Sequence, residues 1–395
     1  MDKAAELGQQ ILEANPEPRE LLAKSPPTLF NPAVQRVMRA VAVFTHYLPV
    51  EGQKRGGVER VTHDLAEGLA RRGHSVTVWS HDPAPTGAAY SVRALPWKRF
   101  ANSWLGQRLT MGYLGNLLAV LPGYREADVI IAAGDSLLLP VLRKPLIRVM
   151  HGSGLGEALA AKSGLRLLHQ GGVYLVELLT ALTQKGCVGV SWNTARHNPF
   201  IKRVIPNGVD LSLFTTATVE KTVAPSILFV GALEGRKRGR FLLDCFQHSI
   251  RPASPSATLW LVGPPGPPSA GVSYFTGVTA SDLAAMYRRA WVYASPSSYE
   301  GFGLPYVEAM ASGTPVVASP NPGSREVLDE GQFGVLSDDS SFANAVVSLL
   351  LDKAARDRWA ALGLERARHY SLEVMLDRYE ELMNEVCSRH GQRRG

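Results

Sequence analysis

Three cysteines in 395 residues, Cys187, Cys245 and Cys387, stand far apart and form no Cys-x-x-Cys pair. That scarcity argues against a disulfide framework or a thiolate zinc site and fits a reducing compartment. No apolar run approaches the roughly 18 residues of a membrane span. The opening stretch MDKAAELGQQILEANPEPRE is charged and lacks the apolar centre of a signal peptide. A cytoplasmic protein is expected, with the inner membrane face as a second place to find it. No short internal repeat and no low-complexity tract occurs. The basic residues are scattered without interleaved aromatics, which disfavours nucleic acid as a partner. No Asp-x-Asp pattern precedes a plausible metal site. The acidic run SDDSS at 337–341 comes late, before a helical pattern, and reads as an N-cap cluster.

What the chain has is apolar substance and positive charge. Hydrophobic residues make up 45%, enough for globular cores, and a chain of this length ordinarily divides into two domains. The net charge of +7 favours anionic partners such as nucleotides or an anionic membrane face. Residues 1–36 look like an appendage, with a short helical pattern followed by a proline-rich stretch. Short apolar runs then alternate with helical patterns. RAVAVFTHYL, SVTVWS, DVIIAA, IRVMHG and CVGVSW are strands. GVERVTHDLAEGLARRGH is a helix with Val58, Val61, Leu65 and Leu69 on one face, stopped by Gly73. The strands are apolar throughout, as in a parallel sheet covered on both faces.

The alternation restarts after RVIPNGVDLSLF, with SILFVGAL, ATLWLVG, VSYFTGV, WVYASPS, TPVVASP and FGVLS as strands. Two doubly wound α/β domains in tandem are expected. Their boundaries are 37–205 and 206–370, with 371–395 a closing helix and tail. That closing segment places Leu372, Met375, Leu376, Tyr379 and Leu382 on one face, which must be buried.

The densest chemistry lies in SPSSYEGFGLPYVEAMASGTPVVAS, residues 295–319. Pro305 suits the first turn of a helix, which runs through Glu308 to about Ser312 and ends at Gly313. Gly301, Phe302, Gly303 and Leu304 then form a turn from a strand's carboxyl end into a helix N-terminus. Backbone N–H groups and the helix dipole attract an anion there. Carboxylates repel phosphate, yet Glu300 and Glu308 flank this turn. The two facts agree if the carboxylates grip hydroxyls, because a ligand carrying both phosphates and vicinal diols is a nucleotide sugar. The competing reading is a plain structural turn with a capping carboxylate.

Those motifs, in that order, resemble the retaining glycosyltransferases of family 4. The likeness covers most of residues 37–388: GGVERVTHDLAEGLARRGHSVTV, VIPNGVDLSLF, FVGALEGRKRG, EGFGLPYVEAMASGTPVVAS and HYSLEVMLDRYEELMNEV. The resemblance implies a GT-B fold: two Rossmann-like domains facing a cleft, with the last helix crossing back to the N-terminal domain. It implies transfer of a hexose-type sugar from a nucleoside-diphosphate sugar to an acceptor hydroxyl, with no metal and no cofactor beyond that co-substrate. By position, Glu308 matches the glutamate that holds the donor ribose and Glu300 the one beside the transferred sugar. Gly303 and Leu304 match backbone donors to the distal phosphate. His151, in RVMHGSG, matches a histidine facing the sugar. Gly56 and Gly57 match a glycine loop that approaches the donor.

The turn VGALEGRKRGR departs from the family pattern. Ala232 stands where an arginine is usual. Lys237 matches the expected lysine by spacing, with Arg236 and Arg238 on either side. Two cations are required where the leaving diphosphate gathers charge, so Lys237 and one of the two arginines are expected to supply them. Ala232 also keeps open a catalytically silent nucleotide-sugar binding protein, and the fold admits an epimerase. The acceptor is unknown. Residues 99–125 are basic, aromatic and amphipathic, and fit equally a peripheral membrane contact or a helix lining an acceptor pocket.

Overall fold

The computed structural model describes residues 37–50, 56–95, 126–133, 139, 143–159, 164–184, 186–216 and 220–392. The extension 1–36 and the segment 99–125 lie outside the described residues. Those described fall into two compact units. One holds the residues before Asn207 together with those from Glu373 on; the other is Asn207–Leu372.

The first unit has a six-stranded parallel sheet: β1 (Ala40–Phe44), β2 (Ser75–Ser80), β3 (Ser91–Ala94), β4 (Val129–Ala132), β5 (Leu146–Met150) and β6 (Cys187–Gly189). Their order is β3-β2-β1-β4-β5-β6, so the winding reverses between β1 and β4. β1 and β4 are fully apolar and almost wholly buried, as two-sided coverage requires. Helix α1 (Gly57–Arg71) turns Val61, Leu65 and Leu69 inward, and Gly73 follows it with φ of 96°. That left-handed geometry is why a glycine stops this helix. Val58, expected on the buried face, is exposed: it sits in the first turn, at the end of the helix rather than over the sheet. Helices α2 (Gly154–Leu159), α3 (Gly164–Thr183) and α4 (Trp192–Arg196) follow.

The second unit repeats the plan with β7 (Ser226–Val230), β8 (Thr258–Val262), β9 (Val272–Phe275), β10 (Val292–Ser295), β11 (Val316–Ala318) and β12 (Val335–Leu336). All pair in parallel, in the order β12-β11-β10-β7-β8-β9, which is the same winding. Here the reversal falls between β7 and β10. Helices α5 (Gly239–Cys245), α6 (Ala280–Arg289), α7 (Leu304–Ala311), α8 (Pro322–Val327), α9 (Phe342–Leu351) and α10 (Lys353–Arg368) cover the faces. A core of Ile227, Phe229, Leu242, Phe246, Leu259 and Val346 fills one side. α9 begins after Ser341, but no side chain of SDDSS caps it. Asp339 is instead held by Arg238.

The last helix, α11 (Leu372–Gly391), buries Met375, Leu376, Tyr379, Leu382, Met383 and Val386. From Glu373 on it belongs to the first unit. Gly68 of α1 makes room for it: a Cβ there would stand 2.5 Å from Leu376 Cδ1. Arg72, just past α1, donates to Asp377 and Glu380, both at 2.8 Å, and pairs with Glu373. The polar rim thereby fixes the register that the apolar face leaves free.

Candidate active site

In open α/β sheets a ligand crevice forms at the carboxyl ends of the strands where the winding reverses. In the second unit that place lies between β7 and β10, and the sequence-predicted residues gather there. β7 leads into Gly231 and Ala232, then a short 3₁₀ turn, Gly235–Lys237. The turn packs closely: a Cβ on Gly231 would stand 2.9 Å from Phe229 Cζ and 3.0 Å from Lys237 Cβ. β10 leads into Ser297 and the turn before α7. The two loops are stitched together by Ser298 N, which donates to Arg236 O at 2.9 Å, and by Arg236 Nη1, which donates to Tyr299 O at 2.8 Å.

Glu300 sits where the loops meet, 6% exposed. Its Oε2 accepts from Arg236 Nη1 at 2.9 Å, and its Oε1 lies 2.6 Å from Lys237 Nζ. Burial pushes the carboxyl's pKa up, but the charges of Lys237 and Arg236, with hydrogen bonds from Lys237 and Ser297, outweigh burial. The net direction is below the ordinary carboxylate value. The site therefore holds an ionised carboxylate between two cations.

Arg238 takes another course. It adopts the left-handed conformation, φ 54°, donates to both carboxylate oxygens of Asp339 and lies over the Phe241 ring at 4.5 Å. Of the two arginines flanking Lys237, it is Arg236 that joins it at Glu300.

The turn beyond Glu300 is shaped by its glycines. Gly303 has φ of 105° and abuts the Tyr306 ring; a Cβ there would stand 2.4 Å from Tyr306 Cδ2. Gly301 lies between Glu300 and the buried Phe302, whose ring meets Tyr370 edge-on at 5.5 Å. Leu304 opens α7, with Pro305 in its first turn. Glu308 lies one turn further along and is 3% exposed. Sequence reasoning passed over what supports this turn. Asn321 caps α8 reciprocally with Ser324, and its Nδ2 donates to Ser297 O at 2.9 Å and Tyr306 Oη at 3.1 Å. Gly323 lets α8 press on the turn: a Cβ there would stand 2.5 Å from Phe302 O and 2.9 Å from Glu300 O. Asn-Pro-Gly directly after a strand was the available signal.

In the first unit, His151 follows β5 and lines a cavity of about 250 Å³ with Val58, Arg148, Gly154, Gln170 and Glu177. The residue is half-buried, but its Nε2 is fully covered and has no hydrogen-bond partner among the described residues. Burial, helped by the Arg148 charge, pushes its pKa down to about 3, so the imidazole is neutral. Glu177 reaches in from α3 and accepts from Gly154 N at 2.9 Å. A Cβ on Gly154 would stand 2.9 Å from Tyr174 N, so only glycine allows α3 this close. Gly56 and Gly57 open α1, exposed, with Gly56 extended (φ −81°, ψ −178°). Val58 of the same turn reaches the His151 cavity. Arg148 and Glu177 were not anticipated. The signal for Arg148 was a lone cation within an apolar strand, IRVM.

Known proteins give a consistent picture. A family model described as Glycosyltransferase Family 4 matches residues 55–213, and one described as Glycosyl transferases group 1 matches residues 224–352. A phosphatidyl-myo-inositol mannosyltransferase of Mycobacterium leprae is 30% identical over 200 residues, 47% of this chain and 54% of that one. The match thus spans about half that relative's length. A glycogen synthase of Mycobacterium tuberculosis is 28% identical over 376 residues, covering 83% of this chain and 90% of its own. Among solved structures, the Anabaena protein HepE in complex with UDP and glucose superposes with a TM-score of 0.67 at 18% identity, over 88% of this chain and 100% of that one. The fold is GT-B, with two Rossmann-like domains.

Proposed function

The chain belongs to the family 4 glycosyltransferases, and from that premise we propose that it moves a hexose from a nucleoside-diphosphate sugar to an acceptor hydroxyl with retention of configuration. The observation that carries this reading is Glu300, buried and ionised between Arg236 and Lys237 where the second sheet reverses its winding. Such a carboxylate accepts hydrogen bonds from sugar hydroxyls. The cations beside it neutralise the charge that gathers on a departing diphosphate. Glu308, one turn inside α7, accepts from the ribose hydroxyls. The backbone from Gly301 to Leu304 offers N–H groups to the distal phosphate at the helix's positive end. The second unit is thus the donor domain.

The first unit is the acceptor domain in this reading. His151 is neutral, so it can accept or donate a hydrogen bond to a hydroxyl without bringing charge. Neither glutamate is assigned as a covalent nucleophile. The departing phosphate takes the acceptor's proton as the new bond forms on the same face of the sugar. Transfer is expected to need no metal, because Arg236 and Lys237 stand where a divalent ion would otherwise neutralise charge. Activity that vanishes in excess EDTA and returns with magnesium or manganese would refute that part.

Ala232 favours a second reading, a nucleotide-sugar binding protein without turnover, since an arginine is usual there. One experiment separates the two. The protein is melted with UDP, GDP, ADP and dTDP and their sugars, then the stabilising donors are tested for product. A ligand at about 100 times its Kd adds about 2.7 kcal/mol of stability. UDP-glucose is the first donor to try, since HepE holds UDP and glucose, and a mannosyl donor the next, after the mycobacterial mannosyltransferase. Stabilisation without product from any donor would favour the silent reading.

A further inference from the structure

Helix α3 is amphipathic in reverse. In α1 of the same unit the ordinary rule holds: Val61, Leu65 and Leu69 face in, while Arg71 and Glu67 pair on the surface. In α3 the polar groups face in. The Glu177 carboxylate accepts from Gly154 N, and Tyr174 Oη donates to His197 O at 2.7 Å. The leucines face out: Leu175 is 58% exposed, Leu179 44% and Leu182 60%. Positions 175, 179 and 182 fall within one narrow stripe of a helix. Phe200 extends the patch, 41% exposed, on the loop that Asn198 fastens to α3 by donating to Glu177 O at 3.3 Å.

Charge completes the pattern. Arg196 and Lys202 are exposed on either side of Phe200. Glu177, the one acidic residue between Ala158 and Gly186, is turned inward, while Lys162, Arg166 and Lys185 bracket the helix in sequence. An apolar stripe with an aromatic residue, bordered by cations alone, complements an anionic lipid interface. A symmetric contact with a second copy would set those cations against their own images. No helix among the described residues is long and apolar enough to cross a membrane.

We propose that the outward face of α3, with Phe200, Arg196 and Lys202, lies on an anionic phospholipid surface. The inward face of the same helix lines the His151 cavity through Gln170 and Glu177. If the transfer reading holds, on which this last step rests, the acceptor is a hydroxylated lipid headgroup presented beside the docked helix.

Flotation with vesicles tests the docking directly. The full chain is expected to float with phosphatidylcholine vesicles containing about 30 mol% phosphatidylglycerol, far less with phosphatidylcholine alone, and less as salt rises. Leu175→Ser with Leu179→Ser should lower that partition at least about tenfold. Arg196→Glu with Lys202→Glu should lower it and remove the salt dependence. Melting temperature and nucleotide binding report whether each variant is folded, and Phe200→Ser serves if the leucine variant is not. A wild-type chain that does not float would overturn the proposal. So would a leucine variant that floats equally well, or a wild-type dimer that the leucine variant breaks without any vesicle binding. Failure of the transfer reading appears separately, as nucleotides that do not bind.

Discussion

Lys237 Nζ lies 2.6 Å from Glu300 Oε1, and both belong to loops at the carboxyl ends of the two strands between which the second sheet reverses. The pair joins β7's loop to β10's loop, so the charge that serves the proposed chemistry also holds the crevice in shape. Glu300→Gln is expected to destabilise the protein by roughly 1.5–3 kcal/mol at neutral pH, the scale of a hydrogen bond to a charged group. The pH dependence has a definite sign. The folded pKa of Glu300 is lowered, so its contribution is whole above the ordinary carboxylate value near 4.5 and fades as pH falls through the folded value. Thermal melts of wild type and variant should therefore converge below about pH 4.5. A gap that stays constant down to acid pH would mean that the ion pairs contribute nothing.

Glu308→Ala should weaken binding of the bare nucleoside diphosphate. Glu308 is buried on α7 one turn from the Gly303 end, where it reaches a ribose rather than a sugar or an acceptor. Losing charge-assisted bonds costs about 1.5–3 kcal/mol, or roughly 10- to 150-fold in Kd. Calorimetry with the diphosphate decides it: unchanged affinity removes Glu308 from the ribose site.

Gly323→Ala tests the unforeseen support of the Glu300 turn. The new methyl would stand 2.5 Å from Phe302 O and 2.8 Å from Glu300 Cβ. Backbone cannot swing aside as a side-chain tip can, so α8 or the turn must move, at about 1–3 kcal/mol. Both the melting temperature and nucleotide affinity should drop together. A variant with wild-type values for both would show that α8 carries no part of the turn's geometry.

The strands that the sequence displays well are those whose physics is local. β2, SVTVWS, and β7, SILFVGAL, are apolar runs because each is covered on both faces, and they appear as expected. β3, Ser91–Ala94, was not anticipated: it is an exposed edge strand with Arg93 in its middle, so no apolar run betrays it. Helix α3 escaped for the opposite reason, since its apolar outward face confounds the rule that leucines mark the inside. Glu300 and Glu308 were legible because a Gly-Phe-Gly-Leu-Pro turn between two carboxylates has few other uses. The choice between Arg236 and Arg238 was not legible. It depends on Asp339, 101 residues away, which engages Arg238.

His151 carries a prediction in which pH and rate must agree. Its Nε2 is covered and without a hydrogen-bond partner among the described residues, in a cavity that also holds Arg148. Burial first, then the Arg148 charge, pushes its pKa from 6.5 to about 3. An unfolded chain therefore binds a proton at this histidine between those values while the folded chain does not. Stability from this group is whole above pH 6.5 and is lost progressively as pH falls toward 3. His151→Gln keeps a polar group and cannot titrate, so its stability should fall less steeply than wild type across that range. For transfer, a neutral imidazole that positions a hydroxyl predicts no acid limb near pH 6.5 in kcat/KM. His151→Ala should lower kcat about 10²-fold or more, the scale of losing one positioned polar group, while the affinity for the nucleoside diphosphate changes little. An acid limb near pH 6.5 that disappears in His151→Gln would show that the ring works protonated. Near-wild-type kcat in His151→Ala would leave the covered Nε2 a feature of packing alone.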